Sequence, residues 1–235
     1  MANTTDSLDL YAKVEDLLGV KEAAPRLYAH YLLFLNSVDC STLLDVGCGS
    51  GDFLFQMQKA LEIDTLKGID LSPVMVENTQ KKGIDAACID LCHFEGRFDV
   101  ITAVFDMLNY LNPSALEHFL GCVYEHLHAG GFFLCDINTR YGFEQVAVGS
   151  YIVDDEDRFL AIDSDFEKDQ YISEFTLFEK ENDGCFRKSQ ETIRQYYHPI
   201  EKIVRSSGLK LVEKSEVNLY DLDDADKHFL VLQKI

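Results

Sequence analysis

Basic side chains are scarce in this chain. Twenty-one lysines and arginines face 41 aspartates and glutamates, a formal net charge of -20 over 235 residues. A nucleic-acid reader needs a basic footprint to neutralise phosphates, and this balance is the reverse. DNA, RNA and anionic membranes are therefore not expected as partners. No apolar run is long enough to span a bilayer. Met1-Ala2-Asn3-Thr4-Thr5-Asp6 lacks the basic start and apolar run of a signal peptide, so the expected compartment is the cytoplasm. Tryptophan is absent, yet 11 tyrosines and 16 phenylalanines supply a sizeable core. No internal repeat or low-complexity tract appears, and the length suits one large domain or two small ones.

The cysteines number seven: Cys40, Cys48, Cys88, Cys92, Cys122, Cys135 and Cys185. Their odd count and their scatter over expected strands and helices point to reduced core thiols. Cys88, Cys92 and His93 lie together, but the second ligand pair of a zinc site is missing from the sequence, so no metal is expected.

What the chain does have is Leu43-Leu44-Asp45-Val46-Gly47-Cys48-Gly49-Ser50-Gly51-Asp52-Phe53. A buried strand should end here and a helix begin. Glycines tolerate positive φ and let a ligand approach the backbone, and the following helix offers free N–H groups to an anion. Upstream, residues 8–38 read as helical, with Pro25 expected to open a second helix. Their plain role is to cover a sheet; a sharper one is a lid in which Tyr11 or Tyr28 touches ligand.

Downstream, strands are expected at 42–46, 66–70, 84–89, 98–104 and 132–136, with helices between them. Ser72-Pro73 opens one helix, and Ser114 with Glu117 reads as a capping box for another, which Gly130-Gly131 ends. Such alternation implies crossovers and a mostly parallel sheet. After Asn138 the pattern changes. Three strands without helices are expected at 159–166, 171–178 and 185–196, the last two joined by Glu181-Asn182-Asp183-Gly184. Residues 151–183 hold twelve acids and three bases, mostly a solvated face. A helix from Pro199 to Gly208 and an antiparallel strand pair, 209–219 and 228–234, close the chain.

In an open parallel sheet, ligands bind outside the carboxyl ends of the strands. Asp45, Asp70, Asp90 and Asp106 fall at or just past four such ends. Together they suit a ligand rich in hydroxyls and amines. A dinucleotide fingerprint, G-x-G-x-x-G, would place its third glycine one residue later than Gly51 and has no role for Asp45.

The motif with its flanking strand, helix and Asp70 resembles the class I, Rossmann-like S-adenosylmethionine-dependent methyltransferases, over roughly residues 42–139. The resemblance implies a seven-stranded, mostly parallel sheet with helices on both faces and an antiparallel final hairpin, plus a small antiparallel β insertion. It further implies S-adenosyl-L-methionine as cofactor. Gly47, Gly49 and Gly51 would pass close to its methionine part, with Asp45 near the amino group. Asp70 would take the ribose hydroxyls, Leu71 and Met75 would pack on adenine, and Asp90 with Leu91 would meet its edge and ring. Phe105 and Asp106 would border the methyl group.

Val104-Phe105-Asp106-Met107-Leu108-Asn109-Tyr110-Leu111 and Asp136-Ile137-Asn138-Thr139 are similar to small bacterial methyltransferases, with amino-sugar and glycine N-methyltransferases on the same plan. The implied organisation is a helical cover and cofactor-binding core over 1–141, a β lid over 142–197, and a completing helix and strand pair over 198–235. The expected function is methyl transfer to a small molecule, an amine being one candidate, with the acceptor atom (nitrogen, oxygen or carbon) left open by the sequence. The alternatives are another S-adenosylmethionine-using transferase, such as an aminopropyltransferase, or a non-catalytic cofactor-binding module. The expected assembly is a monomer or homodimer. Nothing in the residues fixes a general base; Tyr11, Tyr110, Tyr141 and His198 are the candidates by placement.

Overall fold

The computed structural model describes residues 8–235. The stretch Met1 to Asp6, read above for a leader, lies outside them. Five strands, β1 (Thr42–Val46), β2 (Thr65–Asp70), β3 (Asp85–Cys88), β4 (Phe98–Ala103) and β5 (Leu127–Asn138), run parallel. Then come β6 (Gly149–Asp155), β7 (Arg158–Glu167), β8 (Gln170–Lys180) and β9 (Phe186–Tyr196), a separate four-stranded antiparallel sheet. The chain closes with β10 (Lys210–Val217) and β11 (Lys227–Gln233), both antiparallel to their neighbours. The large sheet is ordered β10-β11-β5-β4-β1-β2-β3, so strand order reverses between β1 and β4. That reversal opens a crevice at the carboxyl ends of these strands.

Successive residues of a strand point to opposite faces, and here both faces are apolar. Leu44, Ile101, Phe133 and Leu230 pack under α5 (Pro113–His126) and α6 (Ile200–Ser207). Their neighbours Leu43, Val100, Leu134 and Phe229 pack under α2 (Val20–Leu35) and α3 (Asp52–Ala60). The short α1 (Asp9–Val14) belongs elsewhere. Its Leu10 and Val14 seal the inner face of the small sheet against Leu160, Ile162, Phe175, Leu177 and Ile193. The N-terminal helices thus cover two sheets. Finally, α4 (Pro73–Lys81) follows β2, with Ser72 as its N-cap.

Five local expectations are corrected. Pro25 lies inside α2, which begins earlier, at Val20, through Gly19 in the left-handed conformation; the proline removes one backbone hydrogen bond near the helix start. The cap of α5 is Asn112, whose Oδ1 accepts from Ser114 N (3.1 Å) and Ala115 N (2.9 Å), because Pro113 takes the first helical position. That helix ends at His126 and β5 starts at Leu127, so Gly130 and Gly131 sit in the strand, where a Cβ on Gly131 would meet Asp99 O at 2.8 Å. The insertion has four strands, not three: β6 is almost wholly exposed, so it carries no alternating apolar signal. The cysteines are not all reduced core thiols. Cys92 and Cys122 form a disulfide, and Cys88 and Cys185 are exposed, since the turn after β3 packs on α5 in a way sequence spacing does not show.

The capping geometry yields a direct test. Asn112→Ala lowers stability by about 1 kcal/mol in urea unfolding, whereas Ser114→Ala stays within about 0.5 kcal/mol of wild type. Equal losses would contradict the assignment of the cap.

Candidate functional site

At the end of β1 the backbone turns sharply. Gly47 N and Cys48 N both donate to Ile69 O, at 2.8 and 3.0 Å. Gly47, Gly49 and Gly51 all have positive φ, +73°, +52° and +77°. Two of them also make room for protein: a Cβ on Gly47 would meet Met107 at 2.9 Å, and one on Gly51 would meet Thr79 at 2.7 Å. A Cβ on Gly49 would meet no protein atom within 4 Å. Thr79 Oγ1 donates to Gly49 O (2.8 Å) and ties the loop to α4.

Asp70 ends β2 with its carboxylate across the loop. Oδ2 accepts from Gly49 N (2.9 Å) and Oδ1 from Ser72 N (2.8 Å). A carboxylate has about four lone-pair sites, so each oxygen keeps capacity for another donor. Leu71 stands 55% exposed, which is not core packing, and Met75 is half-buried. Asp90 is exposed and accepts from Cys92 N (2.8 Å), capping the 3-10 turn Leu91–His93, while Leu91 is buried in the core.

Asp45 is different. It is 2% exposed, and Thr102 Oγ1 donates to it at 2.6 Å. Burial pushes its carboxyl up to about 8; the Thr102 bond opposes that, and the charges of Asp70 and Asp136 add to it.

Beside the loop lies a cleft of about 1200 Å³, bounded by Ala24, Tyr28 and Leu32 of α2, Ser50 and Asp52 of the loop and α3, Ser72 and Met75 at α4, and Phe105. Tyr28 packs edge-on between Phe53 (5.3 Å) and Phe105 (5.7 Å), so the second tyrosine read above as a lid residue stands on the cleft wall.

After β4, Phe105 and Asp106 both adopt left-handed conformations, φ 57° and 47°. Such backbone costs on the order of 1–3 kcal/mol per residue and persists only where surroundings enforce it. Asp136 enforces it here. Its carboxylate accepts from Phe105 N (2.7 Å), Asp106 N (2.8 Å) and the Tyr31 hydroxyl (2.7 Å), and it is fully buried. Lys227, at the start of β11 and 5% exposed, bonds Asp106 and Asn138 and lies 3.4 Å from Asp136. Burial alone would lower its ammonium, but Asp106 and Asp136 outweigh burial and hold it above the ordinary lysine range. Gln195 of β9 donates to the other Asp106 oxygen at 2.5 Å.

The charge of Asp106 reaches three phenols. Burial raises Tyr11 and Tyr110 above the usual tyrosine range and the Asp106 charge raises each further; Tyr220, whose side chain is partly exposed, is also raised, with Lys227 working against it. Tyr11 also packs edge-on against Phe175 of the small sheet, centroids 6.4 Å apart. His198 is 1% exposed with Nε2 2.9 Å from Leu111 O, and burial lowers its pKa. Tyr141 is half-buried just before a π-helical turn, Gly142–Ala147. The strand ends thus bring together Asp45, the glycines, Asp70, Phe105 and Asp106; His198 packs on the turn that follows Asp106, bonded to Leu111 O and stacked on Tyr196.

Three residues of this site had no role in the sequence reading: Asp136, Lys227 and Gln195. Asp136 carried a signal, as one more acid near a strand end. Lys227 is a lone cation opening the apolar run His228 to Leu232. Gln195 gave none, since it lies in a polar strand of the insertion.

Residues 43–131 match the family model described as methyltransferase domain. The chain is 27% identical over 172 residues to "Putative methyltransferase GWCH70_2453" of Geobacillus sp. (strain WCH70), covering 68% of this chain and 69% of that protein. Among solved structures, an S-adenosylmethionine-dependent methyltransferase from Clostridium acetobutylicum ATCC 824 superposes with a TM-score of 0.77 at 21% identity, over 96% of this chain and 99% of that one. SAM-bound CalS10, an amino pentose methyltransferase from Micromonospora echinaspora, gives 0.68 at 21% identity, over 92% and 97%. At such identities the structural likeness speaks for the fold.

Asp45 gives a pH test. Its carboxyl ionises near 8 when folded and near about 3.9 when unfolded. Between those values the folded state binds the extra proton, so this group's contribution to stability falls as pH rises from about 4 to 8. Asn has the shape of the protonated acid. Asp45→Asn therefore gains on wild type in urea-unfolding stability across that range; a constant difference between the two would contradict the assignment.

Proposed function

Because the chain belongs to the class I S-adenosylmethionine-dependent methyltransferases, we propose that it methylates an amine of a small molecule held between the carboxyl edge of the large sheet and the β insertion. Asp106 carries the choice of acceptor. It is a carboxylate at the end of β4 whose charge reaches three phenols and whose partners come from the core and the insertion. An acid among aromatic rings suits an amine or ammonium head. The sugar N-methyltransferase KedS8 from Streptoalloteichus sp ATCC 53650, of similar fold, agrees with an amine acceptor.

The residues present fit the cofactor. The side of Gly49 that a Cβ would fill is clear of protein, Asp70 keeps acceptor capacity on both oxygens, and Leu71 exposes an apolar face beside them. Gly47, Gly49 and Gly51 give backbone access to the methionine part, with Asp45 beneath. Asp70 would take the ribose hydroxyls, and Leu71, Met75 and Asp90 would frame the adenine, whereas Leu91 is buried in the core and backs the turn that carries Asp90. Bound there, S-adenosylmethionine supplies a methyl carbon made electrophilic by its sulfonium.

The chain's own task is alignment and exclusion of water. Phe105 and Asp106 border the reacting region, fixed by Asp136. A phenol already holds its proton at neutral pH, and burial pushes Tyr11 and Tyr110 higher still, so they serve as donors and walls rather than as bases. The acceptor amine then arrives already neutral or gives its proton to solvent, and Asp106 orients it. The domain reading of residues 142–197 as a lid over the acceptor is part of the same proposal.

Calorimetry with S-adenosylmethionine and its demethylated product tests the cofactor site. Loss of charge-assisted bonds worth about 1.5–3 kcal/mol weakens binding by Asp70→Ala about 10- to 100-fold, and Gly49→Val abolishes it; binding that survives both overturns the site. Labelled-methyl transfer to panels of amines, alcohols and carbon acids tests the acceptor. Transfer to amines is expected, with Asp106→Asn raising the amine KM at least about tenfold while cofactor affinity is unchanged. Product methylated only at oxygen or carbon overturns the amine reading.

A further inference from the structure

We propose that Cys92, Cys122 and His118 form a binding site for a divalent cation of the zinc class, filled when the two thiols are reduced. The sequence offers Cys88, Cys92 and His93 without a second ligand pair; the fold supplies that pair from a distant helix. His118 and Cys122 are four residues apart on α5 and share one of its faces. Cys92 lies in the 3-10 turn Leu91–His93, which packs on that helix. One ligand atom from each of the three residues lies within 4.8 Å of the other two.

The neighbours that sequence spacing would suggest are engaged elsewhere or stand apart. The Cys88 thiol is 3.5 Å from Leu71 O, at the end of β3. His126, one turn beyond Cys122, has Nδ1 2.8 Å from Gly96 O. Cys92, His118 and Cys122 alone make up the cluster among the described residues.

Two thiolates and an imidazole are the donors of tetrahedral zinc, with sulfur at about 2.3 Å and nitrogen at about 2.0–2.1 Å. Calcium and magnesium prefer oxygen and are not served by this set. Three protein donors leave the fourth position to water. Two sulfurs on one such ion stand roughly 3.8 Å apart. The Cα atoms of Cys92 and Cys122 are 5.2 Å apart, so side-chain rotation supplies that separation with little movement of the backbone. Both cysteines are half-buried and His118 is exposed, which gives ion and reductant access.

The structure shows the oxidised form, in which Cys92 and Cys122 are joined. Two molecules of a small thiol reduce that bond, give two cysteine thiols and leave as their own disulfide. The cation then replaces the two thiol protons, which pass to solvent. The site directly follows Asp90 and Leu91, and Asp90 itself caps Cys92 N. Whatever joins Cys92 to α5 therefore braces the turn that carries Asp90.

The test uses the full chain, reduced and handled without oxygen, and cobalt(II) as the probe. Expected are one equivalent of tetrahedral cobalt with sulfur-to-metal charge-transfer absorption, its bleaching by one equivalent of zinc, and no signal from oxidised protein. Cys92→Ser and Cys122→Ser each abolish the charge-transfer band, while Cys88→Ser and Cys40→Ser leave it intact. His118→Ala weakens binding by more than the roughly tenfold typical of losing even an outer-shell partner. The oxidised wild type serves as a comparison that does not depend on a variant folding. Reduced wild type without a stoichiometric thiolate signal, or a signal that survives Cys122→Ser, overturns the proposal.

Discussion

The buried carboxylate of Asp136 fixes the geometry on which the rest of the site depends. It receives two backbone N–H groups and a phenol and lies 3.4 Å from an ammonium, all without solvent. Bonds to a charged acceptor contribute about 1.5–3 kcal/mol each. Three of them offset the cost of two consecutive left-handed residues, Phe105 and Asp106. The desolvation of a buried acid works the other way and raises its pKa, and Lys227 counters that. Burial leaves its carboxyl above the usual carboxylate range, and the Lys227 charge, with the Tyr31 and Asp106 bonds, limits that rise. The turn after β4 therefore depends on a residue of β5 and on another of β11, three strands adjacent in space and far apart in sequence.

Asp106 inherits its environment from that arrangement. The turn delivers its carboxylate toward Lys227 on one side and Gln195 on the other. Gln195 belongs to the insertion, and a second polar tie, Asn109 Nδ2 to Tyr196 O at 2.8 Å, runs beside it. Leu10 and Val14 of α1 join the insertion's apolar face from the N-terminal side. The insertion is thus fastened to the core at the same place where the candidate acceptor site is built. Opening it would disturb the partners of Asp106 before it disturbed either large core.

How much of this was legible follows from the range of each interaction. The strands of the large sheet are encoded by runs such as Thr42 to Val46 and Phe98 to Ala103, apolar on both faces, and their order of type is visible in sequence. The glycine turn and Asp70 are close in sequence and carry a recognisable spacing. What sequence hid lies partly in contacts between distant segments, as in the Cys92–Cys122 pair, decided by how a turn packs on α5; the cap of α5 is a local case, where Pro113 at the first helical position makes Asn112 rather than Ser114 the cap. Strand β6 was hidden for the opposite reason, since an exposed edge has little apolar pattern to show. Lys227 illustrates the limit well: one charged residue at a strand end is ordinary, and its meaning comes only from Asp106 and Asp136 facing it.

The two partners of Asp106 are not equivalent, and the difference bears on how an amine would reach it. Lys227 is a buried cation held by Asp106, Asn138 and the nearby Asp136, so displacing it would strand its charge away from water. Gln195 is neutral, and a bond from a neutral donor to a carboxylate is the weaker of the two. It is also carried by the insertion rather than by the large sheet. An amine competing for Asp106 would replace the Gln195 contact and leave the Lys227 contact in place. On the proposed amine reading, the acceptor would take the place of Gln195 on Asp106, a contact that β9 supplies. In this arrangement the core supplies a fixed charge, and the insertion supplies the partner that can be exchanged.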